Sequence, residues 1–435
     1  MMSVVPSPTA AKIAPARGCA YTVLRRVFER GAYADEALQA ESKELDARDR
    51  SLAMRLVYGA VQRKGTLDHL IEALAGRPVK RVDPPLLAAL RLGMYELLYM
   101  SGAPDYAVVG DAVELAKRDA RAGHGLVNAV LRRAAREGAD ALLGALGEDT
   151  PERAAVKYSH PEWIARLWWQ ELGPADALAL MAADNEPGEV ALRANTLRTD
   201  ASTLAAELPV RTHPDSSIPE ALVLEEPFDV HNSPLWKAGA FHAQSRGAMR
   251  VARTLDPQPG ERVLDLCAAP GGKSTHLAAL MEGSGEVLAV ESNRRRAGVL
   301  ARTVERLGAG NVKIERADAA LARPEGPVFD RVLVDPPCSG LGTLQARPDL
   351  RWRVTPDAIT EMAGIQAAIL AAGAAALRPG GVLVYSTCTI STAENERLIA
   401  AFLDSNPDFG LEEMLSTLPH RDHTAGFFIA RLRRS

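Results

Sequence analysis

The chain has 435 residues, of which 47% are hydrophobic and 24% are charged. This composition is typical of a globular protein, and the length favours two or three domains over one. The 34 glycines and 28 prolines follow no repeat, which excludes collagen-like and disordered classes. The net charge of -4 lacks the basic footprint of many nucleic-acid-binding proteins, so charge neither favours nor excludes such a partner.

Residues 16–140 show helical periodicity and predict an all-α domain of roughly five to seven helices. Apolar residues recur there at spacings of three and four in Ala20–Phe28, Leu52–Val61, Leu67–Leu74, Leu86–Tyr99, Val108–Leu115 and Leu126–Ala134. The Gly/Ala/Asp-rich stretch Gly138–Pro151 is predicted to be a linker. Helical periodicity does not indicate what this domain binds.

Residues 150–240 mix two patterns and predict a small α+β module. Helical spacing in Pro161–Leu172 is followed by strand-like runs at Val190–Arg193 and Ala221–Leu224. The predicted helix carries Trp163, Trp168 and Trp169. These rings could stack on RNA bases, but helical spacing in an apolar stretch favours core packing.

Residues 241–435 alternate short apolar strands with helices, which predicts a doubly wound, Rossmann-like α/β sheet. The predicted strands are Arg262–Leu266, Glu286–Glu291, Val312–Arg316, Arg331–Val334 and Val382–Tyr385. The predicted helices are Lys273–Met281, Asn293–Leu307 and Asp357–Leu377. In such sheets ligands bind at the carboxyl ends of the strands.

The first of these strands leads into a turn that is typical of nucleotide binding. Its glycines let a ligand approach the backbone, and the following helix points its N-terminus at the ligand. The turn contains neither GxGxxG nor GxxxxGK[ST], which disfavours a dinucleotide site and a P-loop. It runs through Cys267, Ala268, Ala269, Pro270, Gly271, Gly272 and Lys273.

Acidic residues follow the next three predicted strands. Glu291 ends the second strand, where a carboxylate can accept both hydroxyls of a ribose, and Asp318 follows the third and could meet an adenine amino group. Asp335 ends the fourth strand. Each alone could be a helix cap, but together with the glycine turn they suit an adenosine-bearing cofactor.

Two of the four cysteines lie at strand ends on the same predicted edge. Cys338 follows two prolines that stiffen the backbone, and Cys388 closes the fifth strand. Thiolate chemistry fits both positions, whereas Cys19 and Cys267 are interpreted as packing and turn-forming residues. The cysteines form neither a disulfide framework nor a CxxC zinc pair. Without a secretory signal or a run of about 20 apolar residues, we expect a cytoplasmic protein without membrane association.

A cysteine, an acid and a methyl donor are the minimum set for methylating cytosine at C5. C5 is a poor nucleophile until a thiolate adds to C6, and an acid near N3 helps the ring to accept charge. A base must then remove the C5 proton before the enzyme can leave. This half of the chain offers all three components.

Four blocks of the sequence resemble the RsmB/NOP (Sun-like) family of RNA cytosine-C5 methyltransferases. They are DLCAAPGGKSTHLA at 265–278, VDPPCSGLGT at 334–343, RPDLRW at 347–352 and YSTCTISTAENE at 385–396. The resemblance covers residues from about 150 to the C-terminus and implies a class I methyltransferase sheet with a final antiparallel strand. Glu291 stands where Asp is common in the family and Pro336 where Ala is common, and both changes keep the chemistry.

The resemblance also implies the roles of individual residues. Cys267–Lys273, Glu291, Asp318 and Asp335 would contact S-adenosylmethionine, whose product is S-adenosylhomocysteine, and no metal is implied. Cys388 would be the nucleophile, Cys338 would help to release the product, and Asp335 would also face the cytosine. DNA cytosine methyltransferases use the cysteine of the PC block instead, so Cys388 favours RNA over DNA.

The helical part resembles the RNA-binding domain of the NusB antitermination factor. The similar stretches are Ala53–Gly59, Ala89–Leu97 and Gly125–Arg132. This fusion favours 16S ribosomal RNA as the substrate, bound by a monomer. Two alternatives remain: a tRNA cytosine-C5 methyltransferase, and a non-catalytic RNA-binding or antitermination protein. The cysteine pair and the acidic strand ends disfavour the second alternative.

Overall fold

The computed structural model describes residues 13–321 and 326–435. These residues form two compact units. The first comprises the described residues up to Asn185 together with Arg347–Arg353, and the second comprises Glu186–Ala346 and Val354–Ser435. The predicted fold class, an all-α N-terminal domain, a small α+β module and a Rossmann-like domain, is confirmed.

The first unit is helical, as its periodicity predicts. Its α-helices are α1 (Pro15–Arg30), α2 (Ala34–Glu41), α3 (Ala47–Gln62), α4 (Lys64–Ala75), α5 (Pro84–Tyr99), α6 (Asp105–Asp119), α7 (His124–Glu137), α8 (Ala139–Gly144), α9 (Pro151–Lys157), α10 (Glu162–Glu171) and α11 (Pro174–Ala183). Helix α3 begins where the side chain of Asp46 accepts a hydrogen bond from the backbone N–H of Asp49, 2.8 Å away. The prediction that Gly138–Pro151 is a linker is wrong for residues 139–144, which form helix α8 because Leu142 and Leu143 pack against the helical core.

The three tryptophans of α10 are oriented mainly towards protein. Trp168 is fully buried and makes an edge-on contact with His160, with ring centroids 5.5 Å apart. Trp163 and Trp169 are partly buried. The core-packing interpretation is therefore correct for Trp168.

The segment Arg347–Arg353 packs into the first unit, although it follows the fourth strand of the large sheet along the chain. The guanidinium of Arg351 is buried and donates to the backbone oxygens of Ser159 and Asp184, at 3.1 and 3.0 Å. The indole N–H of Trp352 donates to the backbone oxygen of Val61 at 2.8 Å. Sequence spacing did not predict this docking.

The second unit begins with a four-stranded antiparallel sheet. Its strands are β1 (Ala191–Ala194), β2 (Thr212–Pro214), β3 (Ala221–Leu224) and β4 (Phe241–Ala243), in the order β2-β3-β1-β4. The helices α12 (Ala201–Glu207) and α13 (Pro234–Lys237) lie between them along the chain. Leu192, Leu222 and Phe241 form the buried centre of this module.

A seven-stranded sheet follows, in the order β10-β11-β9-β8-β5-β6-β7. Its strands are β5 (Arg262–Leu266), β6 (Glu286–Val290), β7 (Val312–Glu315), β8 (Phe329–Val334), β9 (Leu377–Thr387), β10 (Phe409–Thr417) and β11 (Phe427–Arg434). Strands β5 to β9 are parallel, and β11 pairs antiparallel with β9 and β10. This confirms the expected class I methyltransferase sheet with an antiparallel final strand.

Helices cover both faces of the large sheet. They are α14 (Arg246–Leu255), α15 (Gly272–Leu280), α16 (Arg294–Leu307), α17 (Pro356–Ala376), α18 (Glu396–Ser405) and the short α19 (Pro419–Asp422). Alternate residues of β5 enter opposite cores: Val263 packs with α14 to α16, and Leu264 packs with α17 and α18. Burial on both faces explains why these strands are continuous apolar runs.

Helix α17 is the one helix in the described part of the chain that is long and apolar enough to cross a membrane. This differs from the expectation that no such run exists. Its Ile369, Leu370 and Ala374 belong to the core against the sheet. A core helix satisfies the same criteria of length and composition, so the helix is weak evidence for a membrane span.

Candidate active site

The turn between β5 and α15 lies at the carboxyl edge of the large sheet, where it presents backbone groups and Gly271. The backbone N–H groups of Cys267 and Ala268 donate to the carbonyl of Val290 at the end of β6, at 3.1 and 2.9 Å. Cys267 has a φ of +80°, a conformation that non-glycine residues rarely adopt outside functional or strained sites. Gly271 has a φ of +103°, and a Cβ there would lie 2.9 Å from Leu300. At position 271 glycine permits both the positive φ and the close packing against Leu300.

Asp265, inside the same block, is a buried carboxyl that the sequence analysis did not select. Its Oδ2 accepts a hydrogen bond from the hydroxyl of Ser274 at 2.6 Å, and its Oδ1 has no hydrogen-bond partner among the described residues. Burial raises the pKa of Asp265 to about 7, although the Ser274 hydroxyl opposes this shift. The carboxyl group of Asp265 therefore lies on β5, two residues before Cys267, and is held in place by Ser274 of α15.

The two carboxylates predicted to bind adenosine lie in different environments. Glu291 is buried after β6, and its Oε1 accepts a hydrogen bond from the backbone N–H of Asn293 at 2.8 Å. Its Oε2 lies 3.4 Å from Nε of Arg296, but no described residue donates a hydrogen bond to it. Asp318 is exposed after β7 and caps the backbone N–H of Ala320 at 3.0 Å.

Arg193 connects the small module to the turn, a contact that sequence reasoning missed. The side chain leaves β1 fully buried and donates to the carbonyl of Gly272 at 2.5 Å and to the hydroxyl of Thr275 at 3.0 Å. It also donates to the side chain of Gln244 at 2.7 Å. The first turn of α15 is therefore fixed by a residue from a different sheet.

Lys273 and Asp335 form an ion pair at the same edge. Nζ of Lys273 lies 2.8 Å from Oδ2 of Asp335, and the hydroxyl of Ser386 donates to Oδ1 at 2.9 Å. Burial alone would lower the pKa of Lys273, but the carboxylate of Asp335 raises it above its usual value. The ammonium group therefore stays charged beside the carboxylate.

Two thiols meet beside this pair. Sγ of Cys338, after β8, lies 3.4 Å from Sγ of Cys388, after β9, and both side chains are partly buried and form no disulfide. The contact with Cys388 raises the pKa of Cys338 well above its usual value, and burial adds to the shift. The backbone N–H of Gly342 donates to the carbonyl of Cys388 at 3.0 Å, which ties the two loops together.

Comparison with known proteins identifies three regions of the chain. Residues 252–433 match the model of the 16S rRNA methyltransferase RsmB/F family, residues 160–231 match the RsmF/B-like ferredoxin-like domain, and residues 14–136 match the NusB family. A probable ribosomal RNA small subunit methyltransferase B from Synechocystis sp. is 38% identical over 97% of this chain and 99% of its own length. The chain belongs to the RsmB/F methyltransferase family. The protein of the same name from Bacillus subtilis is 34% identical, over 96% of this chain and 98% of its own length.

Solved structures of methyltransferase homologues also resemble this chain. A methyltransferase homolog protein from Pyrococcus horikoshii superposes with a TM-score of 0.59 and 28% identity, over 66% of this chain and 99% of that one. NSun6 from Pyrococcus horikoshii with SFG gives a TM-score of 0.56 and 25% identity, over 63% and 97% of the two chains. The RsmB/NOP and NusB-like resemblances seen in the sequence are confirmed.

The RsmB/F site combines two kinds of group at one sheet edge. Backbone, Glu291 and the turn offer polar contacts for a cofactor, while the paired thiols and the Lys273–Asp335 pair offer groups for nucleophilic and proton-transfer chemistry. Across residues 13–321 and 326–435, no cluster of three or more His, Cys, Asp or Glu side chains could hold a metal ion.

Proposed function

We propose that this chain transfers a methyl group from S-adenosylmethionine to C5 of a specific cytosine in 16S ribosomal RNA. In this proposal Cys388 forms a covalent bond to C6 of the cytosine and Cys338 assists release. The observation that carries the proposal is the 3.4 Å separation of the two thiols beside the Lys273–Asp335 ion pair. A thiol is needed to activate cytosine, and a second group is needed to complete elimination.

Cofactor binding is assigned to the residues of the β5–α15 turn, Cys267–Lys273, together with Glu291, Asp318 and Asp335. The fit is supported by Oε2 of Glu291, a buried acceptor to which no described residue donates a hydrogen bond and which suits a ribose hydroxyl. Gly271 supports it further, since the conformation and packing of the turn require glycine. S-adenosylmethionine, when bound, supplies the methyl group, and S-adenosylhomocysteine is its product.

The proposed reaction begins with the thiolate of Cys388. Its attack forms the S–C6 bond and moves the electron pair of the C5–C6 double bond towards C5 and N3, which makes C5 nucleophilic. Asp335 faces the ring and Lys273 holds the carboxylate in place through the 2.8 Å ion pair. For the ring to take up this electron pair, Asp335 in its acid form would donate a proton to N3, and the ammonium of Lys273 would then pair with the carboxylate that remains.

Release requires that the C5 proton and the sulfur leave together. After methyl transfer, a base removes the proton from C5, the electron pair restores the C5–C6 double bond, and the S–C6 bond breaks. We assign this base to the thiolate form of Cys338, whose sulfur contacts that of Cys388; it takes up the C5 proton and becomes the thiol, and the raised pKa of Cys338 makes this thiolate a stronger base. Proximity of the two sulfurs allows both events to occur at one position of the ring.

The choice of RNA rests on the helical part and on the names of the relatives. Residues 16–140 would act as the NusB-like RNA-binding domain, residues 150–240 as the small module, and residues 241–435 as the methyltransferase domain. The Synechocystis and Bacillus subtilis proteins are named small subunit ribosomal RNA methyltransferases, which favours 16S rRNA over tRNA. We also propose that the protein is a monomer and acts in the cytoplasm; none of its four cysteines forms a disulfide, which fits a reducing compartment.

Transfer of labelled methyl groups tests this function. The protein is incubated with S-adenosylmethionine labelled in its methyl group and with a 16S rRNA transcript or a tRNA mixture, and the RNA is digested to nucleosides. We expect label in 5-methylcytidine from 16S rRNA, and bisulfite sequencing then locates the cytosine. Label in tRNA alone would support the alternative substrate. No transfer to either RNA, or to small subunits from cells that lack the protein, would overturn the enzymatic proposal.

A further inference from the structure

We infer that the buried carboxylate of Glu394 is a positioning residue that holds the two cysteine loops in one arrangement. The inference rests on the proposed function, in which both thiols act on one cytosine. Glu394 lies in the loop between β9 and α18 and is fully buried. Its partners are the residues that directly follow the two cysteines, Ser339 and Thr389.

One oxygen of this carboxylate binds two N–H donors. Oε1 accepts from the backbone N–H of Ser339 at 2.8 Å and from the side-chain amide of Gln366 on α17 at 2.9 Å. The same amide of Gln366 donates to the carbonyl of Pro337 at 2.9 Å. The residues on both sides of Cys338 are thus fixed, one by Glu394 and the other by its partner Gln366.

The other oxygen faces two hydroxyl groups. Oε2 accepts from the hydroxyl of Ser339 at 2.5 Å and from that of Thr389 at 3.3 Å, and these two hydroxyls lie 2.6 Å apart. Glu394 therefore bridges the loop of Cys338 to the loop of Cys388 through a single side chain. A backbone bond from Gly342 to the carbonyl of Cys388 is a second tie between the loops.

The neighbouring residue Asn395 fixes the other side of the nucleophile. Its Oδ1 accepts from the hydroxyl of Thr387 at 2.6 Å, and its Nδ2 donates to the carbonyl of Thr389 at 3.1 Å. Cys388 is therefore flanked by residues that Glu394 and Asn395 restrain. Such restraint keeps two reactive groups at a productive distance, and small displacements of reacting groups are costly for rate.

Two substitutions at position 394 separate the effect of the hydrogen bonds of Glu394 from the effect of its charge. Glutamine at position 394 could keep every contact, because its amide oxygen can accept from Ser339 N–H and Gln366, while its NH₂ can donate to the two hydroxyls. Alanine removes all of these contacts and leaves buried donors without partners. The negative charge of Glu394 also contributes to the raised pKa of Cys338, which the glutamine variant would reduce.

The experiment compares Glu394→Ala, Glu394→Gln and the control Glu396→Ala, an exposed carboxylate two positions away. Turnover on the 16S rRNA transcript, S-adenosylmethionine affinity and thermal melting are measured for each full-length protein. We expect kcat to fall about 100-fold for alanine and to recover to within about fivefold of wild type for glutamine. Cofactor affinity should be unchanged in all three variants, since the hydrogen-bond partners of the Glu394 carboxylate among the described residues are Ser339, Gln366 and Thr389, which lie outside the cofactor turn.

The outcomes separate the inference from the function on which it rests. A wild-type protein that forms no 5-methylcytidine refutes the proposed function. If the wild type is active, equal turnover of the Glu394→Ala and Glu396→Ala variants overturns the positioning role. An equal loss of kcat in Glu394→Ala and Glu394→Gln also overturns it, because that result would indicate that the charge of Glu394 matters and not its hydrogen bonds. Should the alanine variant fail to fold, Ser339→Ala takes its place, and unchanged kcat for that folded variant overturns the inference.

Discussion

The sulfur atoms of Cys338 and Cys388 lie 3.4 Å apart at the ends of two neighbouring parallel strands. Parallel pairing of β8 with β9 accounts for this proximity, because the carboxyl ends of adjacent parallel strands lie side by side. At this separation the two thiols are within hydrogen-bonding distance, with either sulfur as the donor, and they form no disulfide. Both sulfurs could therefore act on neighbouring atoms of one cytosine ring, C5 and C6. The role of each cysteine can be tested by replacing it alone.

Replacing the proposed nucleophile should abolish methylation. For Cys388→Ala we expect the transfer of labelled methyl groups to 16S rRNA to fall by about three orders of magnitude or more, because the proposed S–C6 bond can no longer form at position 388. Cys19→Ala, a change in the first unit, is the matched control and should keep wild-type turnover. Retained activity in Cys388→Ala together with an inactive Cys338→Ala would reverse the assignment of the two cysteines.

Replacing the proposed release group should trap the intermediate. Cys338→Ala is expected to accumulate protein covalently bound to RNA, since Cys388 can still attack while the C5 proton is not removed. The adduct would appear as a slowly migrating band that survives denaturing electrophoresis. The double variant with Cys388→Ala should lose this band. Normal turnover without an adduct would remove Cys338 from the mechanism.

The sequence predicts the large sheet well because its strands are buried on both faces. Val287, Leu264 and Leu333 belong to continuous apolar runs, which are typical of a parallel sheet that is covered on both faces. Docking of Arg351 into the first unit could not be predicted in this way. Its acceptors, Ser159 and Asp184, are distant along the chain, and a local pattern contains no information about them.

The sequence predicts those site residues whose positions follow from the order and direction of the strands. Strand ends place Cys338, Cys388 and Asp335 on one edge, and the family resemblance supplies their roles. Glu394 and Arg193 were missed because each acts through a buried side-chain contact that depends on tertiary packing. A signal for Glu394 does exist in the sequence, namely an acidic residue in the Ser/Thr-rich loop that follows Cys388.

Asp265 should make the stability of the second unit depend on pH. Burial raises the pKa of Asp265 from its usual value of 3.8 to about 7, so the neutral acid is favoured in the folded state. The stabilisation is complete below about pH 4 and is lost as pH rises through about 7, where the buried group must ionise. Asp265→Asn cannot ionise and removes this dependence.

Urea unfolding of both proteins at several pH values measures this effect. Between about pH 4 and pH 8 the free energy of unfolding of the wild type should decrease, relative to Asp265→Asn, by on the order of 1–4 kcal/mol. Asp256→Asn, at the C-terminal end of α14, is the control and should retain the wild-type dependence. A constant difference between wild type and Asp265→Asn across this range would contradict the assignment.

Arg351 should contribute strongly to the stability of the first unit. Arg351→Ala leaves the carbonyls of Ser159 and Asp184 without their donors in a buried environment, and we expect a loss of about 3 kcal/mol. Tryptophan fluorescence is a suitable probe, since Trp236 is the one tryptophan outside this unit. Arg347→Ala, an exposed arginine of the same segment, should cost less than about 0.5 kcal/mol. Equal losses for the two variants would argue against the buried contacts as the cause.

Arg193 should affect the affinity for the cofactor, because its buried side chain is bonded to the first turn of α15. Its guanidinium fixes the carbonyl of Gly272 and the hydroxyl of Thr275, so Arg193→Met frees the first turn of α15, where the cofactor is proposed to bind. We expect the dissociation constant of S-adenosylmethionine, measured by calorimetry, to rise about tenfold, while KM for RNA stays unchanged. Arg250→Met, which removes an arginine of α14 that donates a hydrogen bond to the hydroxyl of Ser217 at 3.2 Å, is the control. If both variants bind the cofactor as the wild type does, the small module does not position the turn.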